Sequence, residues 1–200
     1  RNATSGVAAV LASLQLRPGD QILRTDHGYN ACNNILDRAA ERCGARVVVA
    51  RVPFPLRSAE DVTDAVLRAT TERTRLALID HITSPTGLLL PIAALVTALQ
   101  VRGVDVLIDG AHGPGMVPID LNRLGAAYYT GNLHKWCCAA RGAAFLHVRR
   151  DRQMGLHPAV TSHGKNVPRT DRSRFLLEFD WQGSDDYTAM LTVPTALQFL

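Results

Sequence analysis

Six short runs of apolar and β-branched residues recur along this chain with helical patterns set between them, and that alternation restricts the fold more than any other feature. The runs are "DQILRT", "ARVVVARV", "TRLALIDHI", "VDVLIDG", "AAYYTGN" and "GAAFLHVR", each of strand length. Between several of them, apolar residues at three- and four-residue spacing predict helices over Ser5–Leu14, Ala31–Cys43, Ala59–Thr71 and Ile92–Arg102. Gly44 and Gly103 stand where the second and fourth would stop. Ser58 and Asp61 have capping-box spacing ahead of the third, and Pro91 is expected at the first position of the fourth. Strand alternating with helix implies an α/β domain with a mostly parallel sheet. From Met154 to Arg174 the pattern gives way to a polar loop with Pro and Gly, expected to be mobile or to belong to an active site.

In such sheets ligands collect beyond the carboxyl ends of the strands, so the polar residues just after each run are the candidates. "NATSG" places Thr4 and Ser5 at a helix start, where free N–H groups favour an anion such as phosphate, though a plain N-cap reads the same way. In "LRTDHGYNA", either His27 or Tyr29 could lie flat against a planar ring. In "VDVLIDGAHGPG", Asp109 ends a strongly apolar strand, where a carboxylate needs a cationic or hydrogen-bonding partner, and a protonated pyridine nitrogen is one. His112, three residues on, is within reach of the same ligand; a turn aspartate is the plainer alternative.

The fifth run leads into "YYTGNLHKWCC". Of the 22 Lys and Arg residues only Lys135 and Lys165 are lysines. An amine can lose its proton and attack a carbonyl, which a guanidinium cannot do. Trp136 and Leu133 are apolar neighbours whose bulk would lower the ammonium pKa. An amine for imine formation, an acid for a ring nitrogen and a helix start for a phosphate are the parts of a pyridoxal phosphate site.

"NATSG", "TDHGYNA", "DHITSPTGLLLP", "DGAHGPGMVPIDL", "YYTGNLHKW" and "GAAFLHVR", in this order, resemble the class V aminotransferase superfamily, fold-type I enzymes dependent on pyridoxal phosphate, and within it the isopenicillin N epimerase-like branch. The resemblance implies a three-layer α/β/α sandwich, with residues 1–200 an incomplete cofactor-binding large domain that lacks an N-terminal segment and a C-terminal small domain. It implies Lys135 as the Schiff-base lysine, Asp109 as partner of the pyridine nitrogen, Tyr29 as the ring-stacking residue and His112 near the ring's oxygen substituent. Counted from Gly19 and Asp20, Tyr29 falls on the stacking position and His27 does not. Ala3 and Thr4 would hold the phosphate, helped by Asn132 and His134, and Ser84 falls where desulfurases carry an asparagine. "DWQGSDDYTA" resembles a segment that reaches the partner's phosphate in a homodimer with shared sites, which makes Gly183 and Ser184 candidates.

The activity implied is that of a pyridoxal-phosphate-dependent enzyme acting on an amino acid, an epimerase or carbon–sulfur lyase, with a class V aminotransferase or cysteine desulfurase as the alternative. A divalent-metal hydrolase built on Asp80, His81, Asp109 and His112 is a rival from another class, and a non-catalytic binding domain a third. The net charge of +4 comes from scattered arginines with no basic run, which argues against a nucleic-acid partner. Cys32, Cys43, Cys137 and Cys138 form no C-x-x-C pair and read as reduced thiols. With no apolar stretch of about 18 residues and no basic head or cleavage site at the start, a cytoplasmic protein without membrane contact is expected.

Overall fold

The computed structural model describes all 200 residues. In chain order the elements are α1 (Ala3–Ser13), β1 (Gln21–Thr25), α2 (Asn30–Cys43), β2 (Arg46–Ala50), α3 (Ala59–Ala69), β3 (Thr74–Asp80), α4 (Ile92–Val101), β4 (Asp105–Gly110), α5 (Leu121–Leu124), β5 (Tyr128–Asn132), β6 (Ala144–Val148), α6 (Arg174–Asp180), α7 (Thr188–Leu191) and α8 (Val193–Phe199). All six expected strands form. They make one sheet in the order β2-β1-β3-β4-β5-β6, parallel throughout except for the antiparallel β5–β6 pair.

Side chains alternate across the sheet and divide the core into two layers. Leu76, Leu78 and Leu107 face α1 and α2, where they meet Val7, Val10 and Leu36. Ala77, Ile79 and Ile108 face the other way, against Val62 and Val66 of α3 and Leu95 and Leu99 of α4. Helices therefore cover both faces in three layers, as the alternation of elements requires. The central strands β3 and β4 are apolar on both faces because both are covered.

The helix ends differ from expectation in several places, α1 beginning at Ala3 rather than Ser5. Ser58 is the N-cap of α3 but makes no side-chain cap bond. Asp61, expected to reach back to the cap, instead binds the Arg57 guanidinium and its backbone N–H. Pro91 is the N-cap of α4 rather than its first residue. Gly44 closes α2 in the left-handed conformation at φ 65°, as its position suggested. No helix is long and apolar enough to cross a membrane, and all four cysteines are free.

Candidate active site

The carboxyl ends of β3, β4 and β5 and the N-terminus of α1 open onto one cavity of about 250 Å³. That lies just under the ~300–1,000 Å³ of ordinary small-molecule sites, which leaves room for one small ring compound and not for a dinucleotide. Lys135, Asp109 and His112 all line it, as do Thr4, Tyr29, Ser84, Asn132 and His134. Residues from five separate stretches are thus brought together by strand order alone.

Two carboxylates form its floor. β3 and β4 run in register as Leu78–Leu107, Ile79–Ile108 and Asp80–Asp109, so the tripeptide Leu-Ile-Asp occurs twice, side by side. The period of two turns both aspartates toward the α1–α2 layer, where each is almost wholly buried. Asp109 accepts from the Ala111 N–H at 3.0 Å through one oxygen and from the Cys32 thiol at 3.2 Å through the other. Burial, with Asp109 beside it, keeps that thiol protonated, well above the usual cysteine range. Burial and the Asp109 charge also push Asp80 up to about 8. Neither carboxylate has a lysine or arginine within ion-pair distance. A pair of buried acids without a cation fits a ligand that brings a protonated ring nitrogen.

The helix end supplies the opposite polarity. Asn2 caps α1, its side chain accepting from the Ser5 N–H at 2.8 Å. The Ala3 N–H donates to Asn132 Oδ1, also at 2.8 Å, so Ala3 and Asn132 satisfy each other and fix where α1 begins. The Thr4 N–H, between these two, has no preceding turn to bond to, and Thr4 lines the cavity. That is the anion-seeking group of the site. His134 lines the cavity with Nδ1 committed to the Ala143 carbonyl at 2.9 Å.

Lys135 follows β5 in a tight loop, its Nζ 3.0 Å from His112 Nε2. Burial lowers its pKa, opposed by the negative charge of Asp109. Trp136, expected to desolvate the lysine by its bulk, is half exposed and instead donates its indole N–H to His112 Nδ1 at 3.1 Å. The other lysine, Lys165, stands 3.9 Å from the buried carboxylate of Glu178, outside the cavity.

Several expectations need amendment. His27 is buried, with its ring nitrogens on Thr86 Oγ1 and the Val52 carbonyl, and does not line the cavity; Tyr29 does. Nothing from Met154 to Arg174 lines it either, so that segment is not part of this site. Gly183 and Ser184 do not line the cavity but border an adjoining groove beside α1 and α7, which shares Asn2 with it. No three His, Cys, Asp or Glu side chains are grouped to hold a metal ion, and His81 Nδ1 is occupied by the Tyr129 hydroxyl at 2.9 Å, which removes the geometric basis of the metal-hydrolase rival. Sequence reading placed Asp80 only among metal ligands and gave Trp136 no polar role; the repeated Leu-Ile-Asp was the signal for the first.

The sequence model of the aminotransferase class-V family matches residues 1–176. The chain is 37% identical to putative L-cysteine desulfhydrase 1 of Oryza sativa subsp. japonica, covering all of this chain and 43% of that protein. It is 36% identical to isopenicillin N epimerase of Amycolatopsis lactamdurans, covering 99% and 53%. Among solved structures, it is similar to a C-DES mutant with glycine covalently linked to the PLP cofactor, at a TM-score of 0.84 and 26% identity, covering 99% of this chain and 53% of that one. The chain spans about half the length of the curated relatives it matches.

Proposed function

We propose, from the premise that this chain belongs to the aminotransferase class-V family, that the whole protein is a pyridoxal-phosphate-dependent enzyme that epimerises an amino acid or cleaves its carbon–sulfur bond. The observation that carries this is a single cavity lined by an amine, Lys135, and a buried carboxylate without a cation, Asp109, with the free Thr4 N–H at a helix start. Desulfhydrase and epimerase relatives of similar identity support the two outcomes equally.

When bound, pyridoxal phosphate supplies a sink for the electron pair left on the substrate carbon. The residues supply everything else. Lys135 Nζ would hold the cofactor's aldehyde carbon covalently and, once displaced by substrate, move a proton at the substrate α-carbon. Asp109 would keep the ring nitrogen protonated, because a buried anion strongly favours a proton on an adjoining base. Thr4 would bind the phosphate at the positive end of α1, with Ala3 and Asn132 holding that end in place and His134 beside it. Tyr29 would lie against the ring, while His112 and Ser84 would meet its oxygen substituent. Epimerisation needs a base on each face of the carbon, and Lys135 is one; lyase chemistry needs that base and a leaving group. No arginine lines the cavity, so the substrate carboxylate is held by a part of the whole protein beyond these walls. The reading includes a homodimer, in which Gly183 and Ser184, which do not line this cavity, serve the neighbouring site.

The test is reduction of the full-length protein with borohydride followed by peptide mass mapping. The pyridoxyl adduct is expected on Lys135; an adduct on Lys165 would sink the assignment. Asp109→Asn is expected to retain the cofactor and lose turnover by at least about a hundredfold, the range of a positioned proton-transfer group. Near-normal turnover would reduce Asp109 to a turn residue.

A further inference from the structure

Three side chains at the mouth of the cavity are joined in a row. Trp136 Nε1 lies 3.1 Å from His112 Nδ1, and His112 Nε2 lies 3.0 Å from Lys135 Nζ. An indole N–H donates and never accepts, so His112 Nδ1 must present a lone pair to it. A neutral imidazole has one proton, which then sits on Nε2, the atom that faces the lysine. An ammonium has three donors and no acceptor, so it would set one N–H against another at that distance. The contact is a hydrogen bond only when Lys135 is a free amine accepting from Nε2–H. A doubly protonated His112 is excluded by the same geometry, since its Nδ1–H would oppose the indole.

We infer that Trp136 is a positioning residue whose indole N–H fixes the His112 tautomer and thereby keeps the Lys135 amine unprotonated, and so nucleophilic, in the cofactor-free protein. The row is built rather than casual. Gly115, at φ 85°, lies so close to the backbone of Trp136 that an added Cβ would stand 2.5 Å from its carbonyl carbon, which clamps the loop carrying His112 onto the loop carrying Trp136. The half-exposed position of the indole also has its explanation here, because the ring must reach across to the histidine rather than into the core.

The other groups facing Lys135 pull both ways. Burial favours the free amine, whereas Asp109 at the end of β4 favours the ammonium; the Cys32 thiol on α2 is held protonated and carries no charge. Asp80, on β3, is held largely protonated by burial and by Asp109. Burial lowers the pKa of His112 itself, which favours its neutral form. With the indole donor removed, Nε2 is free to accept from an ammonium, and Asp109 would then prevail.

This inference rests on the functional reading only for its purpose, since it concerns the cofactor-free protein. The experiment uses full-length protein stripped of cofactor, as wild type and as Trp136→Phe, which keeps a ring and loses the donor. Nitrogen-15 spectra of the histidine side chains report the tautomer, and the pH profile of reductive methylation at Lys135, read by peptide mass, reports the amine. The wild type is expected to show His112 protonated at Nε2. Trp136→Phe is expected to lose that preference and to label Lys135 about tenfold more slowly near neutral pH, the change that follows from a tenfold smaller fraction of free amine. A wild-type His112 protonated at Nδ1, or an unchanged labelling profile in the variant, would overturn the inference; if the variant fails to fold, the wild-type spectrum decides alone. A wild type with the expected tautomer and labelling that takes up no pyridoxal phosphate upholds this inference and overturns the functional reading.

Discussion

Asp80 and Asp109 share one small buried volume, and their closeness sets how Asp80 can be charged. Asp80 is pushed up to about 8, whereas an unfolded aspartate titrates near ~3.9. Between those values the folded chain holds a proton that the unfolded chain has released, so stability falls as pH rises through the interval. Asp80→Asn removes that dependence. The variant is expected to melt higher than the parent near pH 8, with the gain vanishing towards pH 4, as thermal scans of cofactor-free protein at the two values would reveal. An equal gain at both would show that another group carries the proton. Asp80 also marks a limit of the sequence. The repeat of Leu-Ile-Asp is plain to read, yet that the two aspartates stand side by side depends on strand register, which sequence does not state. Lys135 was legible because lysine is scarce here and its neighbours are not surface-like. The polar service of Trp136 was not, since an indole beside a lysine reads as bulk until the histidine opposite is placed.

Elements were easier to read than their ends. Helices that pack on a sheet must show a periodic apolar face, and strands covered on both sides must be continuously apolar; both patterns are in the sequence before any contact is known. Ends depend on local competition, as Asp61 shows by binding the Arg57 side chain and backbone. The approach of α1 to β5 belongs to the same unreadable class. A Cβ added at Gly6 would meet Thr130 Oγ1 at 2.3 Å, so the helix start touches the strand directly through a glycine. Alanine is the better helix former by up to ~1 kcal/mol, but overlap of this kind costs about 1–3 kcal/mol. Gly6→Ala is therefore expected to lower stability in denaturant unfolding and to weaken cofactor affinity, because the Thr4 N–H moves with the helix. Unchanged affinity would mean that Thr4 does not bind the phosphate.

Over the whole molecule, the apolar surface is unevenly distributed. The central strands of the sheet are largely buried, while Trp181, Met190, Leu191, Leu197 and Phe199 cluster in sequence within the C-terminal helices and their connections and are exposed, Phe199 at 82%. Patches of this sort mark surfaces that bind other protein. Residues 1–200 made alone are accordingly expected to scatter more light than the full-length protein, to bind pyridoxal phosphate weakly and to turn over no L-amino acid or cysteine derivative. Full activity from the short chain would overturn the view that the substrate clamp lies outside it. The sheet itself adds a second liability. β6 comes last in the strand order, with β5 on one flank and no strand on the other. Its sequence, Ala-Phe-Leu-His-Val, contains no lysine, proline or bulge of the kind that blunts such borders. An unguarded border is a template, on which an extended segment of any neighbour, including another copy of β6, can zip by backbone pairing alone. Within residues 1–200 the outer backbone groups of β6 are thus left for a strand supplied from elsewhere to pair with.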